Sequence, residues 1–160
     1  WICLLYRFIS SINDLDSLFW IQLSGVDYPF LRHEFFAALE NSGSTTHATG
    51  WQPHHLLVKD GDDVIAVMPL FLKTHSYGEY VFDWAWADAF HRHGYEYYPK
   101  LLNAIPFTPA TGPRWAIAKA YDAQSVVAFL FEGIEAEAKK LNLSSTHFLF
   151  TDKEDSVSFD

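Results

Sequence analysis

The sequence predicts a mixed domain, α/β or α+β in class, with a sheet of mixed strand direction flanked by helices. Two apolar runs on either side of Asp60-Gly61-Asp62 read as an antiparallel hairpin. A strand, a capped amphipathic helix and a second strand then follow between Trp115 and Phe150, the order of a crossover connection. With 160 residues, 49% of them hydrophobic, the chain suffices for one domain with a sizeable core.

The elements follow in order. Arg7 to Asn13 is a β-like run, and Asp14 is placed to cap a helix through Asp16 to Leu23 that Gly25 stops. A second helix follows Pro29, with Leu31, Phe35, Ala38 and Leu39 on one face and Gly43 as its stop. Residues 42 to 50 are polar and Thr-rich, a loop. His55 to Lys59 and Val64 to Leu72 form the hairpin strands, and Pro69, which donates nothing to a ladder, marks an edge or a bulge in the second. Residues 73 to 115 show no clean period, and a long irregular stretch in a compact domain is usually functional. Trp115 to Ala118 is a short strand. From Asp122 a helix carries Val127, Leu130, Ile134, Ala138 and Leu141 on one stripe, with Glu135 and Lys139 as a favourable i,i+4 pair on the wet side. Asn142 ends it, and Ser145 to Phe150 is the closing strand.

Charge and cysteine content exclude several classes. Lys and Arg number 11 against 20 Asp and Glu, a net charge of −9 with no basic cluster, so the chain alone should bind neither RNA nor DNA. Cys3 is the single cysteine, which forbids an intrachain disulfide and points to a reducing, cytoplasmic setting. The apolar opening Trp1 to Tyr6 is too short for a membrane span and lacks the flanks of a signal peptide. With no initiator Met, the chain reads as a fragment whose true start lies elsewhere. Adjacent His54 and His55 would point to opposite faces of a strand, and His91 and His93 need a third ligand, so no metal is expected. Serine-hydrolase elbows, phosphate-binding loops and dinucleotide fingerprints are absent.

Several segments together carry a family resemblance: Pro29-Phe30-Leu31-Arg32-His33-Glu34-Phe35, Gly50-Trp51-Gln52-Pro53-His54-His55-Leu56, Met68-Pro69-Leu70-Phe71-Leu72-Lys73-Thr74-His75-Ser76-Tyr77-Gly78-Glu79-Tyr80-Val81-Phe82-Asp83, Tyr97-Tyr98-Pro99-Lys100-Leu101-Leu102 and Pro106-Phe107-Thr108-Pro109-Ala110-Thr111-Gly112-Pro113-Arg114. In these the chain resembles the FemAB-like proteins of peptidoglycan biosynthesis, over roughly residues 8 to 155. The resemblance implies an acyl-CoA N-acyltransferase (GNAT-like) fold, present twice in tandem in full-length members. Residues 1–7 would then be a truncated or non-native leader, 8–151 the first GNAT-like domain, and 152–160 the start of a linker to a second. It also implies N-acyl transfer to an amine-bearing acceptor from acyl-CoA or aminoacyl-tRNA, or an acceptor-binding half without chemistry of its own. One departure concerns the donor: the loop Ala118-Lys119-Ala120-Tyr121-Asp122-Ala123-Gln124-Ser125 has no glycine, and it carries an acid where a CoA pyrophosphate would sit.

Aminolysis of an ester or thioester needs a base, donors for an oxyanion and a groove that aligns both substrates. The stretch from His75 to Asp88 supplies His75, Glu79, Asp83 and Asp88 among Tyr77, Tyr80, Phe82, Trp84 and Trp86. Burial against rings would lift a carboxylate toward neutrality. The competing reading is that these acids bond backbone N–H groups or cations and merely hold a loop. In an extended run Glu79 and Asp83 share a face, so the expected catalytic set is Glu79, Asp83 and His75. The expected substrate-binding set is Tyr77, Trp86, Asp88, Lys100, Thr108, Thr111, Gly112 and Arg114, with Lys100 otherwise solvated and Arg114 otherwise paired within a structural turn.

Overall fold

The hairpin around Gly61 forms as its sequence requires. Strands β3 (His55–Asp60) and β4 (Asp63–Met68) pair antiparallel across it, with Gly61 at φ +59°, where a Cβ would be strained. Strand β1 (Leu4–Ile9) adds to β3, and β7 (Ala116–Ile117) adds to β4, giving an antiparallel sheet of order β1-β3-β4-β7. β1 thus begins at Leu4, inside the segment read as a leader. This computed structural model describes residues 3–81 and 83–153; Trp1, Ile2, Phe82 and residues 154–160, which include most of the expected linker, lie outside the described residues.

The second expected hairpin strand, Val64 to Leu72, is interrupted. At Pro69, which has no N–H for the ladder, the chain leaves the first sheet and enters another. That second sheet joins β2 (Trp51–Pro53), β5 (Phe71–Lys73), β6 (Lys100–Asn103) and β8 (Thr146–Phe148) in the order β2-β5-β6-β8, with only the β6–β8 pair parallel. Buried Asn103 fixes the corner, its Nδ2 donating to Pro69 O at 2.7 Å and to Arg114 O at 3.0 Å. Two sheets therefore replace the single mixed sheet expected, and β7 and β8 belong to different ones.

The helices show where capping logic holds and where it slips. α1 (Ser17–Ser24) is capped by Asp16, whose Oδ1 accepts from Leu18 N at 2.9 Å; Asp14 lies instead in a 3-10 turn at Ile12–Asp14. A 3-10 turn at Pro29–Leu31 leads into α2 (His33–Asn41). α3 (Trp84–Arg92) lies within the stretch expected to be irregular; it buries no residue, and its rings Trp86 and Phe90 face a cleft instead of the core. α4 (Ala123–Lys140) starts at the expected cap, Asp122 Oδ2 accepting from Ser125 N at 3.0 Å, and carries the Glu135–Lys139 pair at 2.6 Å.

Alternate strand residues divide the core in two. Leu57, Val67 and Leu102 pack with Trp20, Leu31 and Phe36, while Leu56, Val58, Ala66, Met68 and Leu101 pack with Val127, Leu130 and Ile134 of α4. The sheets are thus the middle layer between α1 and α2 on one face and α4 on the other. Among the described residues no helix is long and apolar enough to cross a membrane.

A buried carboxylate ties the first helical layer to the sheet. Glu40 Oε1 and Oε2 accept from Ile12 N at 2.9 and 3.0 Å, and Oε2 meets His55 Nε2 at 3.1 Å. Leu70 N donates to His55 Nδ1 at 3.2 Å, so the ring carries its proton on Nε2 and is neutral. Glu40→Leu leaves two buried donors without an acceptor and is expected to lower unfolding free energy by about 2–4 kcal/mol, measured by urea denaturation.

Candidate active site

Among its described residues, the segment between β5 and β6 gives the core few apolar side chains; Ser76, Glu79, Asp83 and Tyr97 are the buried ones. Buried charge holds it instead. Lys73 and Lys100 stand directly opposite each other in the β5–β6 register, and both are fully buried. Like charges so placed repel, and two acids from the segment offset them. Lys100 Nζ donates to Glu79 Oε2 at 3.0 Å and to Asp83 Oδ2 at 2.8 Å. Lys73 Nζ lies 3.9 Å from Glu79 Oε1, donates to Tyr77 O at 3.1 Å, and sits 3.8 Å from the centre of the Trp51 ring. Tyr97 donates to Asp83 Oδ2 at 2.5 Å and Tyr98 to Oδ1 at 3.2 Å. With all four groups ionised the cluster is neutral, the condition for burying such charge at tolerable cost.

The environment drives these groups apart in acidity. Burial raises the Asp83 carboxyl, but hydrogen bonds from Lys100 and Tyr97 outweigh it and hold Asp83 well below the usual carboxylate range. Burial raises Glu79, and Lys100 offsets that only in part. Burial lowers Lys73 to about 7 against the attraction of Glu79. It also lifts both phenols, Tyr98 to about 12.

Beside the cluster lies a cleft of about 370 Å³, lined by Glu79, Val81, Asp83, Trp86, Phe90, Tyr97, Ser145, His147 and Leu149. Trp86 and Phe90 reach it from one face of α3; His147 comes from the middle of β8, and Ser145 and Leu149 from the residues on either side of that strand. The cleft therefore pairs an aromatic wall with a carboxylate, Glu79, whose Oε1 has no hydrogen-bond partner among the described residues. Such a wall suits an amine or ammonium group.

The structure brings together Glu79, Asp83, Lys100 and Trp86. Glu79 and Asp83 do not meet through strand alternation, however. Gly78 and Tyr80 adopt φ +80° and +61°, turning the chain, and Asp83 is the residue that precedes α3. Nor is Lys100 solvated; its ammonium is wholly enclosed by the two acids. The remaining expected residues lie elsewhere. His75 Nδ1 accepts from Tyr77 N, and its ring packs on Gly50, where a Cβ would fall 2.2 Å from Nε2. Tyr77 is exposed, and Asp88 pairs with Arg92 on the outer side of α3. Thr108 bonds Pro106 O, Thr111 O accepts from Tyr28, and Gly112 lies so close to the Tyr28 ring that a Cβ would fall 2.2 Å from it. Buried Arg114 donates to the carbonyls of Ala110, Gly112, Leu149 and Phe150, bracing the end of β8. His54 and His55 diverge as expected, to Glu137 and Glu40. Lys73, Tyr97, Tyr98 and His147 escaped the sequence reading. A lysine inside Phe71-Leu72-Lys73 and another opening Lys100-Leu101-Leu102 were the available signal, since a cation in an apolar strand demands a buried partner.

Removing Lys100 leaves Lys73 as the one ammonium against two buried acids. Lys100→Met should destabilise the fold by about 3–5 kcal/mol at pH 7 in urea titrations, with part of the loss recovered in mild acid as Glu79 takes up a proton. Lys73 has the opposite pH signature. Its folded value near 7 lies below its ordinary 10.5, so across that window the unfolded chain binds more protons and stability rises with pH. Lys73→Met should flatten that rise between about pH 7 and 10, read from urea midpoints.

Neither a curated protein nor a solved structure matches the chain. A family model described as peptidoglycan biosynthesis and recognition matches residues 11–160. The chain belongs to the FemAB-like family.

Proposed function

We propose that this chain is the first half of a tandem N-acyltransferase with a GNAT-like fold, which joins an acyl or aminoacyl group to an amine in peptidoglycan biosynthesis. The observation that carries the reading is the ring-walled cleft beside Glu79, in a chain of this family. In this reading the amine enters between Trp86 and Glu79. Lys100, itself held by Asp83, fixes the Glu79 carboxylate, and alignment of the two reactants supplies most of the acceleration. The half-domain takes in the whole of β1, Leu4–Ile9, so it starts before the boundary at residue 8 that the resemblance implies.

Two features bear on the donor. The loop before α4 has no glycine, and Asp122 caps the helix with its own carboxylate, which disfavours an anion there and argues against acetyl-CoA at this end. A net charge of −9 argues that any tRNA-linked donor is held by the second copy. A cytoplasmic setting belongs to the same proposal and rests on the free thiol of Cys3. The alternative is an acceptor-binding half without chemistry. It is favoured by one observation: Asp83 spends both carboxylate oxygens on Lys100 and the two tyrosines.

The test is transfer of a labelled acyl group to a lysine-containing stem peptide, followed by mass spectrometry with acyl-CoA and aminoacyl-tRNA donors in turn. Glu79→Gln and Trp86→Ala should each lower transfer about 100-fold or more. Wild-type rates in both variants would remove the site assignment. Peptide binding without transfer, weakened by the same substitutions, would select the non-catalytic alternative.

A further inference from the structure

Resting on the acyl-transfer reading, we propose that His147, not either acid, is the catalytic base that takes the acceptor's proton. β8 alternates its side chains: Phe148 packs toward Phe131 of α4, while His147 points to the opposite side and lines the cleft with Glu79 and Asp83. Its ring lies 6.0 Å from that of Tyr97, centre to centre, and neither ring nitrogen has a hydrogen bond among the described residues. The acids are poorly suited by comparison. Asp83 accepts from Lys100, Tyr97 and Tyr98, and Glu79 is almost wholly enclosed with one oxygen on Lys100. His147 is only half-buried and has a vacant lone pair in its neutral form.

The charged and titratable groups facing it are Lys100, Asp83, Glu79 and Tyr97. Burial and Lys100 push the imidazole below its ordinary value and Asp83 pulls it back, so the ring is neutral at pH 7. In the step, the amine nitrogen attacks the donor's acyl carbon and the N–C bond forms. The amine's proton passes to His147, the bond from carbon to the alkoxide or thiolate leaving group breaks, and the imidazolium returns the proton to that group. No oxidant or further reactant is needed.

The experiment uses p-nitrophenyl acetate as donor and aniline as acceptor, an amine almost wholly unprotonated from about pH 6 to 9 so that protein groups alone titrate. Acetanilide is quantified by chromatography. Wild-type kcat/KM should fall on the acid side as His147 protonates. His147→Gln should lose about 100-fold and its acid limb, and added imidazole should restore part of the rate. If wild type makes acetanilide and His147→Gln keeps both rate and limb, the base assignment fails and acyl transfer stands. A loss that imidazole does not rescue, in a variant of unaltered circular dichroism, overturns the assignment as well. No acetanilide above the buffer reaction from wild type removes the acyl-transfer reading itself, and the base with it.

Discussion

The ammonium of Lys100, held between Glu79 and Asp83 with no access to water, is the constraint on which the rest of the candidate site depends. A lone buried cation is very costly, and so is each acid without it; together they fix one geometry because no other satisfies all three. The segment from Thr74 to Pro99 has little apolar surface in the core, so this cluster, with Lys73 and the two tyrosines, is what docks it on the second sheet. The same contacts set the start of α3, because Asp83 is both ligand to Lys100 and the residue before Trp84.

The division into two sheets gives the cluster its place. Had the strand through Pro69 run on, Lys73 would have remained on the first sheet, away from Lys100. Instead the chain turns at Pro69, Asn103 pins the turn, and β5 pairs with β6 so that the two lysines stand side by side. The parallel addition of β8 to β6 then lays Ser145, His147 and Leu149 along the cleft. Arg114, which does not line the cleft, acts through this strand: its guanidinium gathers the carbonyls of Leu149 and Phe150 and holds the end of β8 in place.

Buried groups here separate rather than converge in acidity. Asp83 is held ionised, Lys73 is pushed toward neutrality, and the phenols are kept protonated. Such divergence is common at functional sites, though ion-pair networks that only support a loop produce it too. What distinguishes this cluster is its neighbour, a ring-walled cleft that Glu79 helps to line, in a chain that belongs to the FemAB-like family.

Sequence by itself determined whatever rests on contacts along the chain. The Gly61 turn, the Asp122 cap, the Glu135–Lys139 pair and the apolar stripe of α4 are local, with their physics contained in a few adjacent residues. It also drew attention to Glu79 and Asp83, because acids among so many rings are chemically conspicuous. Tertiary structure alone decided what those acids meet. Lys73 and Lys100 are 27 positions apart in the sequence but opposite in register, and His147 reaches the cleft only because β8 pairs parallel with β6. α3 is likewise a tertiary matter: its apolar face, with Trp86 and Phe90, turns to the cleft instead of the core, and the charge of Asp83 at its start places it.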